Sequence, residues 1–421
     1  MTYREAYETW LKEFADDRAT VDELKAIAGD EKEIEDRFYT ELSFGTAGMR
    51  GVLGAGTNRM NLYNVRRATK GFADYINSQN PEYRQRGVVI AYDSRRMSPE
   101  FAKASALVLC HEGIHVYLFD ELRPVPILSY AVRHLHAIAG IVITASHNPP
   151  QYNGYKVYWE DGAQMPPEYA DQVLARIRAN RYEDAVEMDE AEAKAKGLLQ
   201  IIGSKEVDDD YIAQVKTLSV QPELMKTAGK ALKIVYTPLH GSGNKPVRRI
   251  LKEIGIENVY VVKEQELPDP NFSTVKVPNP EDPGAFVLAI KLADEVGAKV
   301  IFATDPDCDR LGVAVKTGKL LQLRDHLGLL LELSLELTNL DDVRIVFARH
   351  HTVGHKLRME LFALFFGFLG GTRGDTHHRH VLRHFAHHNG VTADACVVAH
   401  GKAAENLGAG AHYNPLAERR M

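Results

Sequence analysis

The feature that most constrains this chain is a repeated alternation of short, continuous apolar runs with stretches of helical period. Runs at 88–92 (VVIAY), 115–119 (HVYLF) and 140–144 (GIVIT) read as strands covered on both faces. Between them, 98–110 and 125–135 space their apolar residues three and four apart, with Ser98 as the expected N-cap and Pro99 at the first helical position. The scheme restarts downstream with strands at 233–236, 259–262 and 299–303. Helices are expected at 245–254, with Val247, Ile250, Leu251 and Ile254 on one face, and at 285–296, with Phe286, Ala289, Ile290 and Ala293. Such repetition dictates an α/β class: successive α/β domains with mixed, mostly parallel sheets sandwiched by helices. At 421 residues the chain is long for one such unit. The divisions expected are 1–203, 204–323 and 324–421, with the acidic segment 206–210 as a linker.

Ahead of the first strand lies an acidic helical lead, 3–41, with Tyr7, Trp10, Leu11 and Phe14 at helical spacing. A glycine-rich turn (44–51) and a helix (60–77) follow it, and 166–197 reads as a polar helical stretch. A net charge of -6 argues against a nucleic-acid surface. No apolar run approaches the roughly 20 residues of a membrane span; the nearest, 327–333, is short. The amino-terminal stretch is charged and has no signal-peptide core. Cys110, Cys308 and Cys396 form neither a CxxC pair nor a disulfide framework. A reducing cytoplasm is the expected location.

The last quarter breaks the pattern. Of 18 histidines, 12 lie from His326 onward, whereas only Lys356 and Lys402 supply lysine there. Three readings stand: a divergent third domain, a metal-binding histidine tract, and a tail read out of its natural frame. An abnormal tail is the expectation.

Two constellations sit just past buried strands, where α/β proteins place ligands. In TASHNPPQYNGYK (144–156), Ser146 follows a strand and leads a proline-stiffened loop, and Asn153–Gly154 reads as a tight turn returning Lys156 toward the serine. A proline-rich connection with a capping serine is the plainer reading. His147 is adjacent to Ser146, which does not by itself build a triad. In ATDPDCDRLG (303–312), Asp305, Asp307 and Asp309 alternate and can converge on one hard cation such as Mg²⁺. An EF-hand loop fails, because Arg310 stands where glycine is needed and Lys316 where glutamate is needed. A phosphatase using Asp305 as nucleophile and a solvated acidic turn stay open. FGTAGMRG (44–51), with glycines around Arg50, and AYDSRRMS, with Asp93, Ser94 and Arg95 at a strand end, are weaker anion-binding signals, and Arg95 reads equally as a salt-bridge partner.

In this order and at these separations, FGTAGMRG, YDSRRMS, TASHNPPQYNGYK and DPDCDR resemble the α-D-phosphohexomutase superfamily of phosphoglucomutases and phosphomannomutases. The resemblance covers about residues 1–323. The helical lead and ELPDPNFSTVKVPNPE (266–281) look most like the phosphoglucomutase and phosphopentomutase branch. The resemblance implies an isomerase-type phosphotransferase interconverting hexose 1-phosphate and hexose 6-phosphate, glucose foremost. Ser146 would carry the phosphoryl group, and a sugar bisphosphate would serve as primer and intermediate. It further implies Mg²⁺ held by Asp305, Asp307, Asp309 and a phosphoserine oxygen, charge stabilisation by Arg310 and Arg50, and proton handling by His147 and Lys156. Sugar phosphates would be the partners, with neither nucleic acid nor membrane. The family's sugar-gripping third domain and phosphate-clamping fourth have no recognisable counterpart after residue 323; GGTRGDT (370–376) is a faint echo. The third is therefore expected to be divergent or incomplete and the fourth absent, leaving an impaired mutase or an inactive phosphosugar-binding remnant.

Overall fold

Apolar runs and helical periods assemble into two α/β units in a computed structural model. It describes residues 1–45 and 48–316 and, beyond them, only the backbone of three strands. Thr46 and Ala47 of the glycine-rich turn, the histidine-rich tract and 370–376 lie outside the described residues.

The first sheet has six strands: β1 (Met49–Val52), β2 (Val88–Tyr92), β3 (Val116–Phe119), β4 (Ala139–Ile143), β5 (Tyr152–Trp159) and β6 (Leu199–Ile202). Their order is β1-β5-β4-β2-β3-β6. β4, β2, β3 and β6 run parallel, and β5 and β1 are added antiparallel. Side chains alternate between faces, as a period of two requires. Val88 and Ile90 pack with the helices Leu62–Gln79, Ser98–His111 and Pro167–Ala179, whereas Val89 and Ala91 pack with Val125–His134.

The second sheet joins β7 (Lys233–Thr237), β8 (Asn258–Val261), β9 (Val300–Thr304) and β10 (Leu311–Lys316) to the backbone of β11 (Ser334–Leu340), β12 (Val343–Arg349) and β13 (Val397–Val398). Its order is β13-β11-β12-β10-β9-β7-β8. Helix Val287–Val296 covers Val235, Ile301 and Ala303; Val247 and Leu251 of Asn244–Glu253 cover the opposite face at Ile234, Val300 and Phe302. These are the mixed, helix-flanked sheets the sequence calls for.

The lead becomes three helices, Tyr3–Glu13, Arg18–Ala26 and Glu31–Phe38, capped by Thr2, Asp17 and Asp30. Trp10 makes edge contacts with Phe14, Phe38, Tyr63 and Tyr182, which fastens the lead to the first unit. No helix among the described residues is long and apolar enough to cross a membrane.

Three local expectations need correction. The cap of Ser98–His111 is Met97, in the left-handed region at φ 64; Ser98 lies inside the helix, and its hydroxyl donates to Asp93 instead. Asn153–Gly154 is not a turn but part of β5; the chain reverses just before it, where Tyr152 N–H meets Pro149 C=O. Gly154 is required for close approach, since a Cβ there would lie 2.5 Å from Thr144 O and 2.9 Å from Met49 O. The acidic segment 206–210, expected as a linker, is helical and enters the helix Asp209–Lys216. The stretch 166–197 is interrupted into Pro167–Ala179, a 3₁₀ turn Tyr182–Asp184 and Glu190–Ala195.

Candidate active site

Three strand ends build the site. β4 delivers Thr144 and Ser146, β2 delivers Asp93 and Arg95, and β9 of the second unit delivers Asp305 and the acidic loop behind it. β5 pairs antiparallel with β4, setting Lys156 opposite Val142, and β1 sets Arg50 opposite Gly154. Antiparallel pairing, not a turn, is therefore what returns Lys156 to the serine.

Ser146 is 3% exposed, with φ at 54°. A non-glycine residue in that region costs about 1–3 kcal/mol and persists only where its surroundings hold it. Thr144 is one such holder: its Oγ1 accepts the Ser146 N–H at 2.8 Å and donates to Asp93 Oδ2 at 2.7 Å. So held, Ser146 Oγ donates to Asp305 Oδ2 across the two units at 2.8 Å, with His147 Nδ1 at 3.1 Å.

Asp305 Oδ1 accepts the backbone N–H groups of Asp309 and Arg310, at 3.1 and 3.0 Å. Asp307 is fully buried; its Oδ2 accepts Lys156 Nζ at 2.7 Å, and Val125 N–H donates to its backbone carbonyl at 3.0 Å. Lys156 Nζ also reaches Asp309 Oδ2 at 3.4 Å. Arg310 donates to Glu281 at 2.5 Å, and Arg50 donates to Asn148 at 3.1 Å.

Burial sets the protonation balance. It pushes Asp305 well above the usual carboxylate range, and the like charges of Asp307 and Asp309 add to the effect. Burial acts the same way on Asp307, but Lys156 outweighs it and holds that carboxyl below its ordinary value. The same pairing, with Asp309, raises Lys156 despite its own burial. His147 is pulled down to about 4, first by burial and then by the charge of Arg310.

Ligand oxygens of Asp305, Asp307 and Asp309 lie within 4.8 Å of one another. Asp307 Oδ1 is buried with no hydrogen-bond partner. Leaving such a carboxylate oxygen unpaired is costly, and an all-oxygen donor set suits a hard divalent cation. The residues fit Mg²⁺.

The structure thus gathers Ser146, His147, Lys156, Asp305, Asp307 and Asp309 into one directly bonded cluster, with Arg50 and Arg310 at its edge. Thr144, to which the sequence reading gave no role in the site, and Asp93, read there only as part of a weak anion-binding signal, are central to it. The signal available for both was their position immediately after a buried strand.

Family models match this architecture piece by piece. The phosphoglucomutase/phosphomannomutase alpha/beta/alpha domain I matches residues 41–184 and domain II matches 209–318, together more than half of the chain. The chain belongs to the phosphoglucomutase/phosphomannomutase family. Among curated members it is 38% identical over 295 residues to a phosphopentomutase of Mus musculus, covering 68% of this chain and 47% of that protein. It is 42% identical over 282 residues to a phosphoglucomutase of Staphylococcus haemolyticus, covering 66% and 49%. It superposes with a TM-score of 0.55 on a provisionally assigned phosphomannomutase of Thermus thermophilus, at 27% identity, covering 66% of this chain and 57% of that one. The chain spans about half the length of the curated family members it matches.

Proposed function

We propose that this chain carries the phosphoryl-transfer half of a phosphohexomutase site, with Ser146 as the phosphoryl carrier. The observation that carries the reading is the Ser146 Oγ contact with Asp305 Oδ2, which joins a strand-end serine of one unit to the acidic loop of the other. The substrates would be hexose 1-phosphate and hexose 6-phosphate, glucose foremost, with a sugar bisphosphate as primer and intermediate.

Phosphoryl transfer depends on in-line positioning and on neutralising the charge of the equatorial oxygens. Thr144 and the left-handed backbone fix the direction of Ser146 Oγ. The Ser146 hydroxyl is directed at Asp305 Oδ2, to which it donates at 2.8 Å. His147 is neutral at pH 7, so a ring nitrogen can accept a proton at Ser146 Oγ or at a sugar hydroxyl. Lys156 stays charged against Asp307 and offsets the acidic loop, a charge role in place of general-base work. Arg310 and Arg50 provide cationic charge beside His147. Asp305, Asp307 and Asp309 would hold Mg²⁺, which when bound supplies polarisation of the phosphoryl group.

The phosphatase alternative requires Asp305 to be free to attack, yet both of its oxygens are engaged by the serine hydroxyl and two backbone N–H groups. The test is single-turnover incubation with glucose 1,6-bisphosphate and Mg²⁺. Hexose monophosphate should be released stoichiometrically, and Ser146→Ala should abolish the release. Release that survives Ser146→Ala would overturn the reading. Binding of the bisphosphate without any transfer would assign a phosphosugar-binding remnant.

A further inference from the structure

Asp93, Ser94 and Arg95 follow β2, and Arg95 has no part in the chemistry above. Its side chain is 0% exposed, and it meets an unusual set of acceptors. Nη1 donates to the carbonyls of Pro149 at 2.9 Å and Tyr152 at 3.1 Å. Nη2 donates to the carbonyls of Ser146 and Asn148, both at 2.5 Å. Nε lies 3.3 Å from Asp93 Oδ2 as an ion pair without a hydrogen bond of its own, so the four N–H groups on Nη1 and Nη2 carry the bonding, one to each carbonyl. Below it, the ring of Phe272, from the 266–281 segment of the second unit, lies 4.9 Å from the guanidinium carbon.

Taking a guanidinium out of water costs several kcal/mol unless its partners compensate. Here four carbonyl oxygens of the 146–152 loop turn inward toward one centre, a convergence that repels itself without a cation between them. A lysine cannot replace it, because three donors on one atom do not span four carbonyls, whereas a planar fork does. The consequence falls on Ser146. Thr144 holds its N–H and Arg95 holds its carbonyl, so both ends of a strained backbone unit are fixed.

We propose that Arg95 is a positioning residue for phosphoryl transfer at Ser146: it gathers the carbonyls of the 146–152 loop so that Oγ stays aimed at Asp305, and Phe272 completes the clamp. The inference rests on Ser146 being the phosphoryl carrier. It makes the order of the serine loop depend on the second unit as well as the first, through one cation stacked on Phe272.

The test follows the single-turnover rate at which the full chain, with Mg²⁺, becomes phosphorylated on Ser146 by glucose 1,6-bisphosphate. Arg95→Lys and Arg95→Met should lower the rate constant at saturating bisphosphate about 10²-fold, the usual effect of a small misplacement. The half-saturating concentration should change less than threefold, and folded protein should still reach the wild-type end point. Phe272→Leu should slow the reaction severalfold. A residue that only stabilises the fold gives the opposite split, a reduced end point with an unchanged rate constant, and that result would overturn the proposal. If the Arg95 variants do not fold, Phe272→Leu decides, and an unchanged rate overturns it. Wild-type protein that never acquires phosphate would refute the carrier reading itself, an outcome distinct from normal labelling of the variants.

Discussion

Thr144→Val keeps the shape of a buried residue and removes only its hydroxyl. That oxygen accepts the Ser146 N–H at 2.8 Å and donates to Asp93 Oδ2 at 2.7 Å. A buried N–H left without an acceptor costs about 1–3 kcal/mol, and a hydrogen bond to a charged group contributes about 1.5–3 kcal/mol. Asp93 keeps the Ser98 hydroxyl, the Arg95 N–H and the Arg95 side chain, which softens the second loss. The expected total is about 3 kcal/mol, which for a unit of this size lowers the melting temperature by roughly 6–12 °C. Thr144→Ser is the control: it keeps the hydroxyl and loses one buried methyl, worth about 1 kcal/mol. Thermal unfolding of the three proteins followed by circular dichroism checks the ordering. A valine variant as stable as the serine variant would show that the hydroxyl does not hold the loop.

Other outcomes follow from the same contacts. Asp307→Asn should weaken Mg²⁺ binding by about 10²-fold, measured by calorimetric titration, with a smaller loss of stability than removal of Lys156, because Lys156 keeps the Asp309 carboxylate at 3.4 Å; unchanged metal affinity with a large loss of stability would assign the loop to structure. Lys156→Met leaves Asp307 buried and unpaired, so the metal-free protein should lose about 3–5 kcal/mol. Added Mg²⁺ should then raise the variant's melting temperature more than the wild type's; equal shifts would contradict the charge role of Lys156. Gly154→Ala drives a Cβ to 2.5 Å from Thr144 O and should destabilise by about 3 kcal/mol; a melting temperature within 1 °C of wild type would refute that close approach.

What could be read from sequence tracks how locally each feature is encoded. Strands such as Val88–Tyr92 declare themselves because they are buried on both faces and therefore continuously apolar. The serine and acidic motifs are legible because each follows such a strand. β5 was not, because Asn153–Gly154 carries the usual composition of a turn, while its true role is a backbone approach set by two neighbouring strands. Arg95 and Thr144 have the same weakness as signals. A strand-end arginine is ordinarily solvated, and only the tertiary fold wraps four carbonyls around this one. The alternation of Asp305, Asp307 and Asp309 marks the acidic loop, but its pairing with Lys156 joins residues about 150 positions apart and has no local trace.

The central claim is that Ser146 accepts the phosphoryl group. Its most direct test is peptide mapping of protein incubated with glucose 1,6-bisphosphate and Mg²⁺, read by mass spectrometry with and without hydroxylamine. The account predicts one phosphate on the peptide containing Ser146, stable to hydroxylamine and absent from Ser146→Ala. A hydroxylamine-labile phosphate on Asp305, with Ser146 unmodified, would contradict it.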